Sequence, residues 1–424
     1  MQYYTGINQR NIYKLVENLT SGIFKNELGL LKSLIKSVVK HKEFEIIGGR
    51  VWELCPAEGS YILKYQYGSL PKIPKGYSIQ LTDHQETFSK LIRDRAALNY
   101  ETDKVLLEKG IQLYSVIGVG DIIKVKGVKY YKYTLGFNAP EILQSFFETL
   151  SVISSVVSVA LRNMENQARQ SRLNRDMVKA SEIQKSLLPE HHLRFFDYDI
   201  YGICLPDSEV GGDYFDYLKS TGEDDEHLGI VISDAASKGL PAAIQALFVS
   251  GAFRMATAFS PKIATLLSRL NTLIFDTFPY ERFVTLCYLD LTISSNRLIL
   301  YANAGHCAPI HYRSEDGKIS YLSATGGLLG LVRNQKFKVE NLTMKCGDVI
   351  ALYTDGITEA NNSEGKIFGE ERLCELIRRN AGETPQNIAL NIIEEIQKFT
   401  VDSIYSDDKT LVIIKRVSDE AGKI

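Results

Sequence analysis

The strongest constraint on how this chain folds is a helical pattern that runs unbroken from Glu141 to Leu188. Leu150, Ile153, Val157, Ala160 and Met164 keep the alternating three- and four-residue spacing of a coiled-coil seam. A polar stretch, ENQARQSR, follows. Leu173, Met177, Ala180, Ile183 and Leu187 then resume an apolar face, and Pro189 supplies a stop signal. Such a helix either packs on one of its own domains or forms a parallel dimer stalk joining two. The second reading is preferred here and implies a homodimer. A length of 424 residues exceeds the usual size of a single core. The expected organisation is therefore a domain over residues 1–140, a helical linker over 141–190 and a second domain over 191–424.

Composition removes several function classes. A formal net charge of -2 gives no electrostatic ground for binding nucleic acid or an acidic membrane surface. The N-terminus, MQYYTGINQRNIYKLVEN, lacks the apolar run and small-residue cleavage site of a signal peptide. The segment Ile142–Leu161 is long enough to span a bilayer, but Glu148 alone would cost about 2.5–3.5 kcal/mol near its centre. A packed helix is the expected outcome, with no membrane association. Six scattered cysteines without a CxxC pair fit reduced thiols in the cytoplasm. The histidines show no metal-ligand spacing.

The first segment mixes periods. Leu28, Leu31, Leu34, Ile35 and Val38 recur at helical spacing, and strand-like runs lie at Ile46–Leu54, Tyr61–Tyr67, Gln112–Val119 and Lys129–Phe137. The third segment is rich in strands: Tyr198–Leu205, Asp213–Lys219, Leu228–Asp234, Phe283–Thr292, Arg297–Ala302, Val349–Tyr353 and Thr410–Lys415, with SNR as a short hairpin connection. Helices are expected at Pro241–Phe259, Lys262–Phe278, Glu370–Arg379 and Pro385–Phe399. Strands in hairpins with helices in pairs indicate an α+β fold of antiparallel sheets with helices stacked outside.

In this segment aspartates repeatedly stand where a strand meets a tight turn. Asp213 follows two glycines in EVGGDYFDYL, Asp234 ends LGIVISD, Asp355 ends VIALYTD, and Asp407 and Asp408 precede KTLVIIK. One aspartate after a strand is ordinarily a turn cap. Four brought together make a nest of like charges, tolerable only when cations fill it. Oxygen ligands without His or Cys select Mg²⁺ or Mn²⁺ over zinc. Two such ions can activate a water and neutralise a phosphoryl group under attack.

The strings EIQKSLLP, GGDYFD, SDAASKGLPAAI, NAGHCAPIHYR, GDVIALYTDGITEANNSEGKIFG and DDKTLVII occur in the order of the motifs of the PPM-type serine/threonine phosphatases. They resemble most the bacterial SpoIIE/RsbU branch. The resemblance implies an α-β-β-α sandwich of two antiparallel sheets flanked by helices, with two Mn²⁺ or Mg²⁺ ions at one edge. It implies that Asp234 bridges both ions, that the Ala235 carbonyl is a further ligand, and that Asp213, Asp355 and Asp407 complete the coordination, with Asp408 as the alternative to Asp407. Activated water would attack phosphorus in line, without a phosphoenzyme. Lys238 and Gly239 open the following helix, where an anion is favoured, although Lys238 equally fits a solvated turn.

Two departures matter. The branch motif is close to D-x-S-G-K-G, so Ser237 stands for a glycine and would strain the turn if that position needs a positive φ. Ala236 stands where eukaryotic relatives carry a histidine held to be a general acid. His306 of NAGH reads as a loop-shaping residue, and Cys307 beside it as an ordinary thiol more than a nucleophile. GGDYF also resembles the GG[DE]EF signature of diguanylate cyclases, but Tyr214 replaces the glutamate and the downstream motifs have no place in that fold.

The first segment resembles a GAF domain through GIQLYSVIGVGD, YYKYTLGF and the helix beginning EILQSFFETL. That resemblance implies a sensor, with an unknown small ligand as one option; Cys55 fits a core thiol better than a chromophore anchor. The expected partner is a phosphoprotein, an anti-anti-sigma-like regulator carrying phosphoserine or phosphothreonine. The alternative is a catalytically impaired phosphatase fold that binds its partner without turnover.

Overall fold

The computed structural model describes residues 24–139, 141–142, 144–219, 227–257, 259, 261–278, 283–292, 298–401 and 407–417. The N-terminal stretch inspected for a leader and the SNR turn lie outside the described residues. Contacts divide the chain into two units, Met1–Leu173 and Asn174–Ile424, so the division falls within the long helix.

The N-terminal unit begins with helix α1 (Glu27–Lys40), capped by the Asn26 side chain, which accepts from the Gly29 amide at 2.8 Å. Its antiparallel sheet has the order β3-β2-β1-β6-β5-β4, from β1 (Gly48–Cys55), β2 (Ser60–Gly68), β3 (Ser78–Gln80), β4 (Ala96–Tyr100), β5 (Leu113–Val125) and β6 (Val128–Asn138). Helices α2 (Gln85–Asp94) and α3 (Lys104–Glu108) precede and follow β4. Helix α4 (Gln144–Leu187) follows the sheet and is 44 residues long. Side chains alternate across a strand, and both faces are used. Val51, Ile117 and Leu135 share one cluster with Leu31, Leu34 and Ile35 of α1. Trp52 and Val116 share another with Phe88 and Leu91 of α2 and Leu106 of α3.

The seam of α4 is consumed by that first cluster. Leu150, Ile153 and Val157 are buried with the sheet and α1, Ala160 and Leu161 join them, and Met164 packs alongside. The preference for an intermolecular seam is therefore corrected over Leu150–Met164: the helix packs on its own unit, because the sheet presents an apolar face that needs covering. Farther on, Leu173, Val178 and Ile183 are exposed. Among the described residues, no helix is long and apolar enough to cross a membrane.

The C-terminal unit contains two antiparallel sheets. One has the order β15-β12-β11-β10-β9 and the other β14-β13-β16-β17-β8-β7. The strands are β7 (His192–Phe195), β8 (Tyr198–Leu205), β9 (Tyr214–Lys219), β10 (His227–Ala235), β11 (Val284–Thr292), β12 (Leu298–Ala304), β13 (Ile310–Tyr312), β14 (Ile319–Tyr321), β15 (Glu340–Thr343), β16 (Val349–Tyr353) and β17 (Lys409–Arg416). Helices α5 (Leu240–Thr257) and α6 (Ile263–Thr277) join β10 to β11. The short α7 (Asp355–Thr358), α8 (Glu370–Asn380) and α9 (Pro385–Phe399) join β16 to β17. Alternation again sorts the side chains. Ile230 and Ile232 of β10 meet Ile350, Leu352, Val412 and Ile414 between the sheets. On the outer faces, Val231 packs with Val249 and Phe253 of α5, and Leu411 and Ile413 pack with Ile377, Ile388 and Ile392 of α8 and α9. The result is the expected α-β-β-α sandwich.

If α4 serves its own unit, Ile153→Ala should lower the stability of the N-terminal unit by about 2–5 kcal/mol in a urea melt. A variant that unfolds like the wild type while losing an oligomer would restore the intermolecular seam.

Candidate active site

Antiparallel pairing brings the aspartates to one edge of the sandwich. Asp213 immediately precedes β9 and Asp234 lies near the end of β10, and these strands pair with Ser233 opposite Tyr214. In the other sheet, Asp355 follows β16 and Asp407 and Asp408 precede β17, with Tyr353 opposite Leu411. Asp234, Asp355, Asp407 and Asp408 line one open cavity, and Lys238 borders it.

The carboxylates differ in what holds them. Asp213 is only 3 % exposed, and its Oδ2 accepts from Thr354 Oγ1 at 2.7 Å and Thr410 Oγ1 at 2.6 Å. It stands behind the cavity rather than in its lining, and this pair of hydrogen bonds ties one sheet to the other. Asp408 organises the glycine loop: its Oδ1 accepts from the Asp207 amide at 2.8 Å and its Oδ2 from the Gly212 amide at 2.6 Å. Asp407 instead meets Lys238 Nζ at 2.7 Å. Asp408 thus spends its oxygens on backbone, whereas Asp407 is turned to the cavity's lysine.

Crowding is visible in the acidities. Burial, then the charges of Asp355, Asp407 and Asp408, push Asp234 up to about 7. Burial and the Asp234 charge push Asp213 well above the usual carboxylate range, against the two threonine hydrogen bonds. Burial, then Glu359 and Asp407, raise Asp355. Groups that resist ionisation in one another's company call for cations. Among the described residues, no three His, Cys, Asp or Glu side chains converge tightly enough to form a single metal cage. Carboxylate oxygens without His or Cys are the donors that hard ions such as Mg²⁺ and Mn²⁺ take, one or two at a time with water filling the rest.

The turn after Asp234 corrects the expectation of strain at Ser237. The left-handed residue is Gly239, at φ 68°, and Ser237 is not among the non-glycine residues with positive φ. Its hydroxyl donates to Gln245 Oε1 at 3.2 Å. His306 is buried, its Nδ1 lies 2.8 Å from Thr285 Oγ1, and its backbone amide and carbonyl both bond the Asn303 side chain. Burial lowers its pKa to about 4 against the Tyr353 backbone, so it is uncharged at neutral pH and shapes the loop. Burial, then the Asp355 and Asp234 charges, raise the Cys307 thiol to about 12, which disfavours the thiolate.

Two groups of site residues escape the sequence reading. Thr354 and Thr410 are the ones that orient Asp213; each stands beside an aspartate motif, in YTD and DDKT, which is the one signal available. Gln184, within EIQKSLLP, grips the glycine loop twice: its Nε2 donates to the Gly211 carbonyl at 2.7 Å and its Oε1 accepts from the Gly211 amide at 3.1 Å. Arg254 adds a second anchor, donating to the Leu187 carbonyl at 2.6 Å and to Asp216 Oδ2 at 2.7 Å.

The SpoIIE family (stage II sporulation protein E) matches residues 224–417, which take in Asp234, Ala235, Asp355 and Asp407 and begin after Asp213. Over those residues the C-terminal unit is similar to the SpoIIE-type PP2C phosphatases. Phosphoserine phosphatase RsbU of Bacillus subtilis is 25% identical over 281 residues, covering 65% of this chain and 82% of RsbU. Protein IcfG of Synechocystis is 28% identical over 273 residues, covering 57% of this chain and 41% of IcfG. Among solved structures, the SiaA-PP2C domain of Pseudomonas aeruginosa superposes with a TM-score of 0.50 at 18% identity, over 58% of this chain and 98% of that domain. That similarity is one of fold.

Within this SpoIIE-type unit, Gly356 sets how closely the two acidic turns approach. A Cβ there would lie 1.9 Å from the Asp408 carbonyl oxygen, a backbone atom that cannot step aside. Gly356→Ala should cost about 1–3 kcal/mol and displace Asp407, abolishing phosphatase activity. Wild-type melting and turnover from that variant would show that the approach is dispensable.

Proposed function

We propose that the protein is a metal-dependent serine/threonine phosphatase that removes phosphate from phosphoserine or phosphothreonine on a partner regulatory protein. The observation that carries this reading is the shared cavity of Asp234, Asp355, Asp407 and Asp408, with carboxylates whose ionisation is mutually opposed. Asp234 would contact two ions, the Ala235 carbonyl would add a ligand, Asp355 and Asp407 would hold the outer sides, and Asp213 would act from behind, fixed by Thr354 and Thr410. Bound Mn²⁺ or Mg²⁺ would supply activated water and neutralise charge on the phosphoryl group. Lys238, 62 % exposed at the cavity rim, would meet an arriving phosphate as readily as it meets Asp407. Ala236 brings no acid, so the leaving hydroxyl would take its proton from solvent, and turnover would be slow.

The similarity to RsbU, named a phosphoserine phosphatase, supports the substrate class, and the partner this reading expects is an anti-anti-sigma-like regulator. The free cysteines support a cytoplasmic setting. The N-terminal unit would act as a GAF-like sensor; its six-stranded antiparallel sheet, covered on both faces, supports that reading. The face of Leu173, Met177, Ala180 and Ile183 would form the homodimer contact on the later part of α4. A signal would reach the site through Gln184, whose grip on Gly211 lies beside the loop that Asp408 and Asp213 share.

The test is Mn²⁺-dependent hydrolysis of para-nitrophenyl phosphate. Wild type should turn over, Asp234→Asn should lose at least about 100-fold, and Gln184→Ala should change the rate while leaving Mn²⁺ affinity intact. Inert wild type, with a phosphorylated regulator also untouched, would favour a binding scaffold without turnover.

A further inference from the structure

The N-terminal unit holds a buried arginine whose partner is not supplied by the described protein. Arg50, on β1, is only 5 % exposed. Its Nη1 donates to Asn138 Oδ1, and its Nε makes no hydrogen bond. Burial lowers the guanidinium to about 10 even though the Glu101 charge opposes the shift. Glu101 is itself engaged: its Oε1 accepts from the amides of Thr102 at 2.9 Å and Asp103 at 3.0 Å and lies 3.8 Å from His84 Nε2. Among the described residues, no carboxylate lies within 4.0 Å of the Arg50 nitrogens. A buried charge left unpaired is costly, and a well-placed, hydrogen-bonded anion offsets part of that cost.

Arg50 opens into a cavity. Cross-strand pairing sets Arg50 beside Gly136, and Gly136 beside Val116, in one row across the sheet. Gly136 leaves that row without a side chain: a Cβ there would meet only Trp52 Nε1, at 3.9 Å. The space above is walled by Trp52, Tyr61, Phe88 and Tyr114, and Arg50, Glu101 and His84 line it as well. It is small and partly open. Its aromatic walls suit a flat ring that can stack on them or meet them edge-on.

We propose that this slot between aromatic side chains binds a small aromatic monocarboxylate, with the carboxylate at the Arg50 guanidinium and the ring between the aromatic walls above Gly136. One arginine matches one carboxylate, and Arg–carboxylate pairs have the right planar geometry. A doubly charged phosphate is disfavoured because Glu101 faces the same space. The site gives the sensor reading its ligand class and rests on that reading only for its consequence to the phosphatase; binding itself is independent of turnover.

The experiment is calorimetry on the full chain with benzoate, 4-hydroxyphenylacetate and indole-3-acetate, each against its neutral amide. At least one acid should bind, with its amide at least about tenfold weaker. Arg50→Gln should lose the acid. Gly136→Val fills the slot, suits a strand and keeps Arg50, so it should lose binding with an unchanged circular dichroism spectrum and melting temperature. Failure of all three acids to bind, equal binding of acid and amide, or undiminished binding by a folded Gly136→Val would overturn the assignment. Binding without any change in para-nitrophenyl phosphate hydrolysis would count against the sensor reading and leave the site standing.

Discussion

Mutual repulsion among carboxylates at one edge of a sandwich is the constraint around which the C-terminal unit is arranged. Asp234, Asp355, Asp407 and Asp408 border a single cavity, and Asp213 lies buried behind it. Like charges at such proximity oppose folding unless something compensates. The protein provides partial compensation: Lys238 against Asp407, backbone amides on Asp408, and threonine hydroxyls on Asp213. Asp234 has the least, and burial with its acidic neighbours raises its pKa to about 7. A fold that keeps this arrangement carries an energetic defect that a bound cation would relieve.

The same hydrogen bonds that tame the charges also hold the sandwich together at that edge. Asp213 belongs to the chain entering β9 in one sheet, and Thr354 and Thr410 belong to the other. The Thr354 amide donates to the Thr410 carbonyl at 3.1 Å, and the Thr410 amide to Thr354 Oγ1 at 3.0 Å. The acidic edge is thus a seam between sheets as well as a site. Displacing one turn displaces the others, which is why Gly356 has no room for a methyl group and why the Gln184 clamp on Gly211 reaches the aspartates.

What the sequence disclosed followed from burial. Strands buried on both faces read as continuous apolar runs, so Leu228–Asp234, Val349–Tyr353 and Thr410–Lys415 were legible nearly to their ends. Ile319–Tyr321 and Glu340–Thr343 are short, mostly exposed edge strands and leave no such run. The aspartates were legible because a carboxylate closing an apolar run is unusual. Thr354 and Thr410 were not, since threonine is an ordinary strand residue. The seam of α4 was read correctly as apolar and assigned to the wrong surface over Leu150–Met164: periodicity reveals that a face is covered, and the N-terminal sheet turned out to cover it. Arg50 carries no sequence signal at all, because its neighbourhood with Gly136 and Val116 exists only through strand register.

The central claim is that the acidic edge is destabilising without cations, and thermal melting in chelating buffer tests it most directly. The folded-state pKa of Asp234 lies above its unfolded value of 3.8, so stability falls as pH rises through about 7. At pH on the order of 8, metal-free Asp234→Asn should melt above metal-free wild type, by about 2–4 °C for each kcal/mol of repulsion removed. Added Mn²⁺ should then raise the wild type and scarcely move the variant. If metal-free Asp234→Asn instead melts at or below the wild type, and Mn²⁺ shifts both alike, charge repulsion does not govern this edge and the account is contradicted.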